Sequence, residues 1–234
     1  MKRGFIQRLP TMKSPAFDPT QASIDALAGE SPVDAHRLSP AWLRERFTRS
    51  LPWTPEFTED AAWRELPPDP VPAAVLIPLV NRPQGMTLLL TLRTAHLNDH
   101  AGQISFPGGR VDPEDRDPIA TALRETEEET GLSRQHIEII GTLPDYLTGT
   151  GFRVTPVVAL VQPPFELAAD VFEVAEIFEV PLNFLMDGAN HQRRSAEFPS
   201  RPGRRSFYAM PFEHYFIWGA TAAMLRNLYH FLRA

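Results

Sequence analysis

Residues 108–132 read GGRVDPEDRDPIATALRETEEETGL, and this stretch constrains the chain more than any other. Asp117-Pro118 marks a helix start: a capping carboxylate, then a proline whose missing N–H costs nothing in the first turn. Gly131 supplies the left-handed residue that commonly ends a helix. The helix so bounded crowds Glu125, Glu127, Glu128 and Glu129 into its last turns. There the helix dipole is negative and neighbouring acids repel, so an ordinary solvated helix gains nothing from them. A bound divalent cation reverses that sign.

At about 100° per residue, Glu125, Glu128 and Glu129 share an arc of roughly 100°, while Glu127 falls outside it and faces solvent. Ile119, Leu123, Thr126 and Thr130 form the adjoining strip, expected to pack on a sheet. Ahead of the helix, Gly108 and Gly109 allow positive φ and close approach to a ligand. Asp112, Glu114 and Asp115 add acceptors to the same loop. Hard oxygen donors in this number select Mg²⁺ or Mn²⁺, and the planar fork of Arg124 suits orienting the carboxylates beside it. A bare acidic run is usually a solvated face. The coincidence of the paired glycines, the capped start, Arg124-Glu125 and the closing Gly131 favours a site instead.

Composition narrows the classes. The 234 residues include no cysteine, which excludes disulfides, thiol catalysis and zinc fingers. The net charge of −6 argues against bulk nucleic-acid binding, which needs clustered Lys and Arg. An anionic small molecule remains compatible if a cation neutralises the site. The opening residues lack the apolar core of a secretory signal, and no apolar run approaches the ~20 residues that span a bilayer. A cytoplasmic protein with no membrane partner is expected.

Residues 1–35, rich in Pro, Ser, Thr and Asp, read as disordered or loosely attached. Residues 36–70 hold a short helix opened by Ser39-Pro40, with Trp42, Leu43, Arg46 and Phe47, then a Pro-rich linker. Trp42 to Phe47 with Trp53, Phe57 and Trp63 place apolar surface in this extension; either it packs back or it makes a homodimer contact. Residues 71–234 form the main domain. Strands are expected at 73–80 and 86–92 (a hairpin), 103–106, 137–143 and 152–161. A helical turn is expected around 182–186, and strands 193–198 and 206–210 should flank a turn at Arg201-Pro202-Gly203. A terminal amphipathic helix spans 218–232, with Ala222, Leu225, Leu228, Tyr229 and Leu232 on its apolar side. Strands interleaved with two solid helices predict an α+β fold, a mixed β-sheet sandwiched between α-helices.

The acidic segment resembles the Nudix box: a Gly, a Glu, then Arg-Glu-apolar-x-Glu-Glu-x-Gly-apolar. Here Gly109, Asp115 and Arg124-Glu125-Thr126-Glu127-Glu128-Glu129-Thr130-Gly131-Leu132 take those places. Asp stands for the first Glu with one extra residue before the helix, and Thr126 replaces an aliphatic residue. The resemblance implies the Nudix fold and hydrolysis of a nucleoside diphosphate linked to another moiety, with Mg²⁺ or Mn²⁺. It places Glu125, Glu128 and Glu129 at the metal, with Asp115 as the fourth acid.

Upstream, Leu89-Leu90-Thr91-Leu92-Arg93 and Gly102-Gln103-Ile104-Ser105-Phe106-Pro107-Gly108-Gly109 resemble the signature of the coenzyme A diphosphatase branch, as do 143–158 and 217–225. Asn98 departs from that signature, which has an arginine there. What this resemblance implies is cleavage of coenzyme A or its acyl derivatives to 4′-phosphopantetheine and adenosine 3′,5′-bisphosphate. The substrate-binding candidates are Arg93, His100, Gln103, Gly108, Gly109 and Arg110. Glu128 or Glu125 would accept the proton of the attacking water, with Arg124 completing the catalytic set; an acid from a distant loop, Glu173 or Glu176, is the alternative. Competing readings are a Nudix diphosphatase acting on an ADP-sugar or dinucleotide, a non-catalytic nucleotide-binding regulatory module, and a structural protein with an acidic helix.

Overall fold

The apolar run at 73–80 has no polar face, as a strand covered on both sides requires. The protein is described here from a computed structural model covering residues 17–56, 69–95, 102–198 and 201–234. In it this run is part of β2 (Val71–Arg82), which makes a hairpin with β3 (Gly85–Arg93). β4 (Ile104–Ser105) pairs with β3, and β5 (Gly108–Arg110) with β2. Helix α2 (Pro118–Thr130) follows; α1 (Pro40–Thr48) precedes β2. Then come β6 (Ile137–Thr142), β7 (Tyr146–Leu147), β8 (Phe152–Val161) and β9 (Val174–Pro181). β8 runs parallel to β2 and antiparallel to β6 and β7, so the eight-stranded sheet is mixed.

Alternation along the strands builds two cores. Ala73, Ile77 and Leu79 of β2, with Leu88 and Leu90 of β3 and Val158 and Leu160 of β8, face one side. There they meet Leu225, Leu228 and Leu232 of α4 (Gly219–Arg233). Ala74 and Leu76, with Val157 and Ala159, face the other side against Ala122 and Ile119 of α2. The sheet therefore lies between helices, as the strand and helix order implied. On α2 the buried strip is Thr121, Ala122, Thr126 and Thr130, while Ile119 and Leu123 are only half-buried. Thr126 and Thr130 are tolerated there because each hydroxyl donates to the carbonyl four residues earlier, both at 2.6 Å.

Three expectations are corrected. A second, four-stranded sheet exists, with β1 (Ser23–Leu27), β10 (Gln192–Phe198), β11 (Arg201–Phe212) and β12 (Tyr215–Trp218) adjacent in that order. Residues 17–35 are consequently not loose, because β1 pairs antiparallel with β10. Arg201, Pro202 and Gly203, expected as a turn, begin β11 instead. A short helix, α3 (Leu182–Leu185), follows β9 where the helical turn was expected.

The extension packs back on the domain. Leu43 is fully buried, and Trp42, Phe47 and Trp53 pack against the main core; Phe57 and Trp63 lie outside the described residues. Arg37 donates to the carbonyls of Leu232 (3.0 Å) and Arg233 (2.6 Å), and Arg46 to that of Phe231 (2.9 Å). These guanidinium groups satisfy carbonyls that the end of α4 leaves without helical partners, where positive charge is favourable. Further along α4, Arg226 is buried and pairs with Glu30 and Glu56 of the extension. Among the described residues no helix is long and apolar enough to cross a membrane.

Candidate active site

The two glycines of β5 do different things. Gly108 pairs with Val75 at φ 154°, and a Cβ there would collide with the Ala74 carbonyl and the Val75 backbone. Only glycine lets β5 lie this close to β2. A Cβ on Gly109 would instead lie 2.5 Å from the carboxyl carbon of Glu125. The pair thus seats the loop on the sheet and leaves room for an α2 carboxylate above it.

Helix α2 is bounded as its sequence specifies. The Asp117 side chain accepts from the Ala120 N–H, Pro118 opens the first turn, and Gly131 closes the helix at φ 69°. The last turn carries no basic residue. Its exposed carbonyls are met by backbone from the loop before β9: Ala168 N donates to Thr130 O at 2.8 Å and Asp170 N to Glu129 O at 3.0 Å. That loop is therefore fastened to the acidic end of the helix.

Arg124 organises the acids. Its Nη1 donates to Glu125 (2.9 Å) and to Glu128 (3.0 Å), one helical turn on. Its Nε and Nη2 grip Asp115 at 3.1 and 2.8 Å, and Nη2 also reaches the Arg110 carbonyl at 3.3 Å. Asp115 further accepts from the Thr121 hydroxyl (2.8 Å) and the Asp112 N–H (2.9 Å). Four donors match the roughly four lone-pair positions of a carboxylate. Asp115, expected among the metal ligands, is thus committed to holding Arg124. The Arg124 guanidinium beside it keeps its carboxyl well below the usual carboxylate range.

Glu129 is the buried acid of the set, its side chain 5% exposed. Burial pushes its carboxyl up to about 8, against the partial compensation of Arg93 and the Gly108 N–H and with the added repulsion of Glu125 and Glu173. Arg93 Nη1 lies 3.5 Å from Glu129 and the Gly108 N–H 3.3 Å from it. Burial also raises Glu125, against the pull of Arg124. Glu128 is exposed, and Glu127 pairs with Arg134 at the surface.

Of the two acids expected from a distant loop, Glu173, just before β9, approaches the cluster, 3.9 Å from Arg93 Nη2, whereas Glu176 lies within β9. Glu176 is instead bonded to the Tyr215 hydroxyl at 2.6 Å. The Gln103 carbonyl accepts from the Arg93 N–H at 3.0 Å, which fixes the end of β3 against the segment entering β4. The Arg110 guanidinium stacks over Phe152, 5.2 Å from the ring centre. His100, with His96 and Asn98, lies outside the described residues. Sequence reasoning missed Thr121 and the Asp112 N–H, which fix Asp115; their spacing carries no signal apart from the folded loop.

Among the described residues, no three acidic or histidine groups are gathered as a ready cation cage. The donor chemistry nevertheless fits a hard divalent cation. Glu125 and Glu129 are carboxylates whose burial and mutual repulsion are only partly offset by Arg124 and Arg93, and every side-chain donor is oxygen.

The NUDIX domain model matches residues 70–196. Over 157 residues the chain is 46% identical to a Salmonella paratyphi B protein described as an uncharacterized Nudix hydrolase NudL, covering 67% of this chain and 80% of the relative. The same figures hold for the NudL of Salmonella newport. A solved Nudix hydrolase from M. smegmatis, RenU, is 25% identical with a TM-score of 0.42, covering 49% of this chain and 72% of that one.

Proposed function

This chain belongs to the Nudix family of hydrolases, and we propose that it cleaves the diphosphate of coenzyme A or its derivatives, giving 4′-phosphopantetheine and adenosine 3′,5′-bisphosphate in the cytoplasm. The observation that carries this reading is the segment from Leu89 to Gly109. It resembles the coenzyme A diphosphatase signature except at Asn98, and two of its groups touch the acidic helix: Arg93 at Glu129 and the Gly108 N–H at the same carboxylate.

Glu125, Glu128 and Glu129 would hold Mg²⁺ or Mn²⁺, which supplies neutralisation of the diphosphate charge and a lowered pKa for water. The remaining work falls to the protein's own groups. Arg124 orients Glu125 and Glu128, and Asp115 locks Arg124. The Gly108 N–H fixes Glu129. Arg93, held between Glu129 and Glu173, presents a planar donor set suited to a phosphate. Glu173 faces the cluster from the opposite loop and is our choice for the group that accepts the proton of the attacking water, a role that needs reach more than burial. Glu128 and Glu125, bonded to Arg124, serve the cation instead.

The test is a substrate panel. Coenzyme A, ADP-ribose and a dinucleoside polyphosphate are offered with Mg²⁺ and with Mn²⁺, and products are identified by mass. Cleavage of coenzyme A to the two named products, well above the others, is expected. Turnover of ADP-ribose alone would overturn the reading.

A further inference from the structure

Glu173 is placed by its backbone. Its side chain is half exposed, and its ion pair with Arg93, at 3.9 Å, is longer than a hydrogen bond. The turn at 170–174 is what fixes it, because the two peptide units that meet at its Cα are bonded at both ends. The Glu173 and Val174 N–H groups donate to the Asp170 carbonyl at 3.0 and 2.8 Å. The Glu173 carbonyl accepts from the Thr94 N–H, and the Phe172 carbonyl from the Thr94 hydroxyl, each at 2.9 Å. Asp170 and Thr94 thus hold all four polar groups of those units. Three of the four bonds are backbone to backbone, which any residue could make. The fourth needs the hydroxyl of Thr94.

This bracket is tied to the acidic site on two sides. Asp170 N donates to the Glu129 carbonyl at 3.0 Å, so the turn rests on the end of α2. Thr94 directly follows Arg93, whose guanidinium lies between Glu129 and Glu173. Thr94 itself is 7% exposed and its hydroxyl is spent on Phe172, so it touches the reaction only through its neighbour. We propose that Thr94 is a positioning residue, its hydroxyl holding the Phe172–Glu173 peptide so that the Glu173 carboxylate stays where it accepts the proton of the attacking water. This rests on the base assignment above and adds to it the group that keeps the base in place.

The experiment is a double-mutant cycle on the full chain: Thr94→Val, Glu173→Gln and the two combined, with Thr94→Ser as the variant that keeps the hydroxyl. It reads kcat and KM with Mn²⁺ and the fastest substrate of the panel above, with the thermal midpoint alongside. Thr94→Val should lower kcat about tenfold with KM unchanged, since a displacement near 1 Å costs up to about 10²-fold. Thr94→Ser should stay close to wild type. In the Glu173→Gln background Thr94→Val should cost nothing further, because the group it positions is gone. Losses that multiply, a kcat unaffected by Thr94→Val, or a raised KM with kcat intact would each overturn the proposal while leaving Glu173 as the base. Full turnover by Glu173→Gln would overturn the base assignment and the proposal together.

Discussion

Gly109 and Glu125 occupy one another's space: a Cβ on the glycine would sit 2.5 Å from the glutamate's carboxyl carbon. The glycine of this motif is therefore explained by an acid sixteen positions later, on the helix that the loop feeds. Gly109→Ala should displace the carboxylate without disturbing the sheet face of α2. A displacement of about 1 Å commonly costs on the order of 10²-fold in rate. We expect a kcat loss of that order with a thermal midpoint close to wild type; unimpaired turnover would remove Glu125 from the site.

Asp115 acts through Arg124. Replacing it by Asn keeps the size but removes the charge that fixes the guanidinium, and with it the orientation of Glu125 and Glu128. With Glu125 and Glu128 in their proposed role as metal ligands, losing the group that positions them is expected to cost about 10–100-fold in metal affinity or activity. Asp115→Asn should show that loss together with a raised Mn²⁺ requirement. Raising Mn²⁺ should restore part of the rate, which a simple folding defect would not allow.

Glu173 and Glu176 separate cleanly. Glu173→Gln should lower kcat by about 10²–10⁴-fold with no change in thermal midpoint, since this side chain is half exposed. Glu176→Gln should leave turnover near wild type, because its partner is the Tyr215 hydroxyl. Equal effects from both substitutions would contradict the assignment.

Away from the site, Glu56 ties the extension to α4. Burial alone would raise its carboxyl, but bonds from His230, Tyr208 and Arg226 outweigh it and hold the group at about 2. An unfolded glutamate titrates near ~4.3, so this stabilisation is complete above that value and is lost as the pH falls from there towards 2. Glu56→Gln should cost about 1–3 kcal/mol near neutrality. The gap between wild type and variant should narrow as the pH falls from about 4.3 towards about 2. A gap that stays constant in thermal melts over that range would contradict it.

Much of this was legible in the chain. Asp117, Pro118 and Gly131 announce α2 because capping is a local, strongly typed signal, and β2 with β3 follows from apolar runs around a turn. The second sheet was not legible at its edge. β1 holds five exposed residues, and it becomes a strand only by pairing with β10, far along the chain. β5 and β7 are three and two residues long, too short for a periodicity to register. At the site, residue type brought out Glu125, Glu128, Glu129 and Arg124. It could not show that Asp115 faces Arg124, because Thr121 and the Asp112 N–H that commit it there act through the folded loop.

The proposed centre of the site is a divalent cation held jointly by Glu125, Glu128 and Glu129. Calorimetric titration of Mn²⁺ into the full chain tests this directly, alone and with coenzyme A present. Saturable uptake by the wild type, abolished when Glu125 and Glu129 are both changed to Gln, is the predicted result. No uptake under either condition, or uptake indifferent to those substitutions, would contradict it.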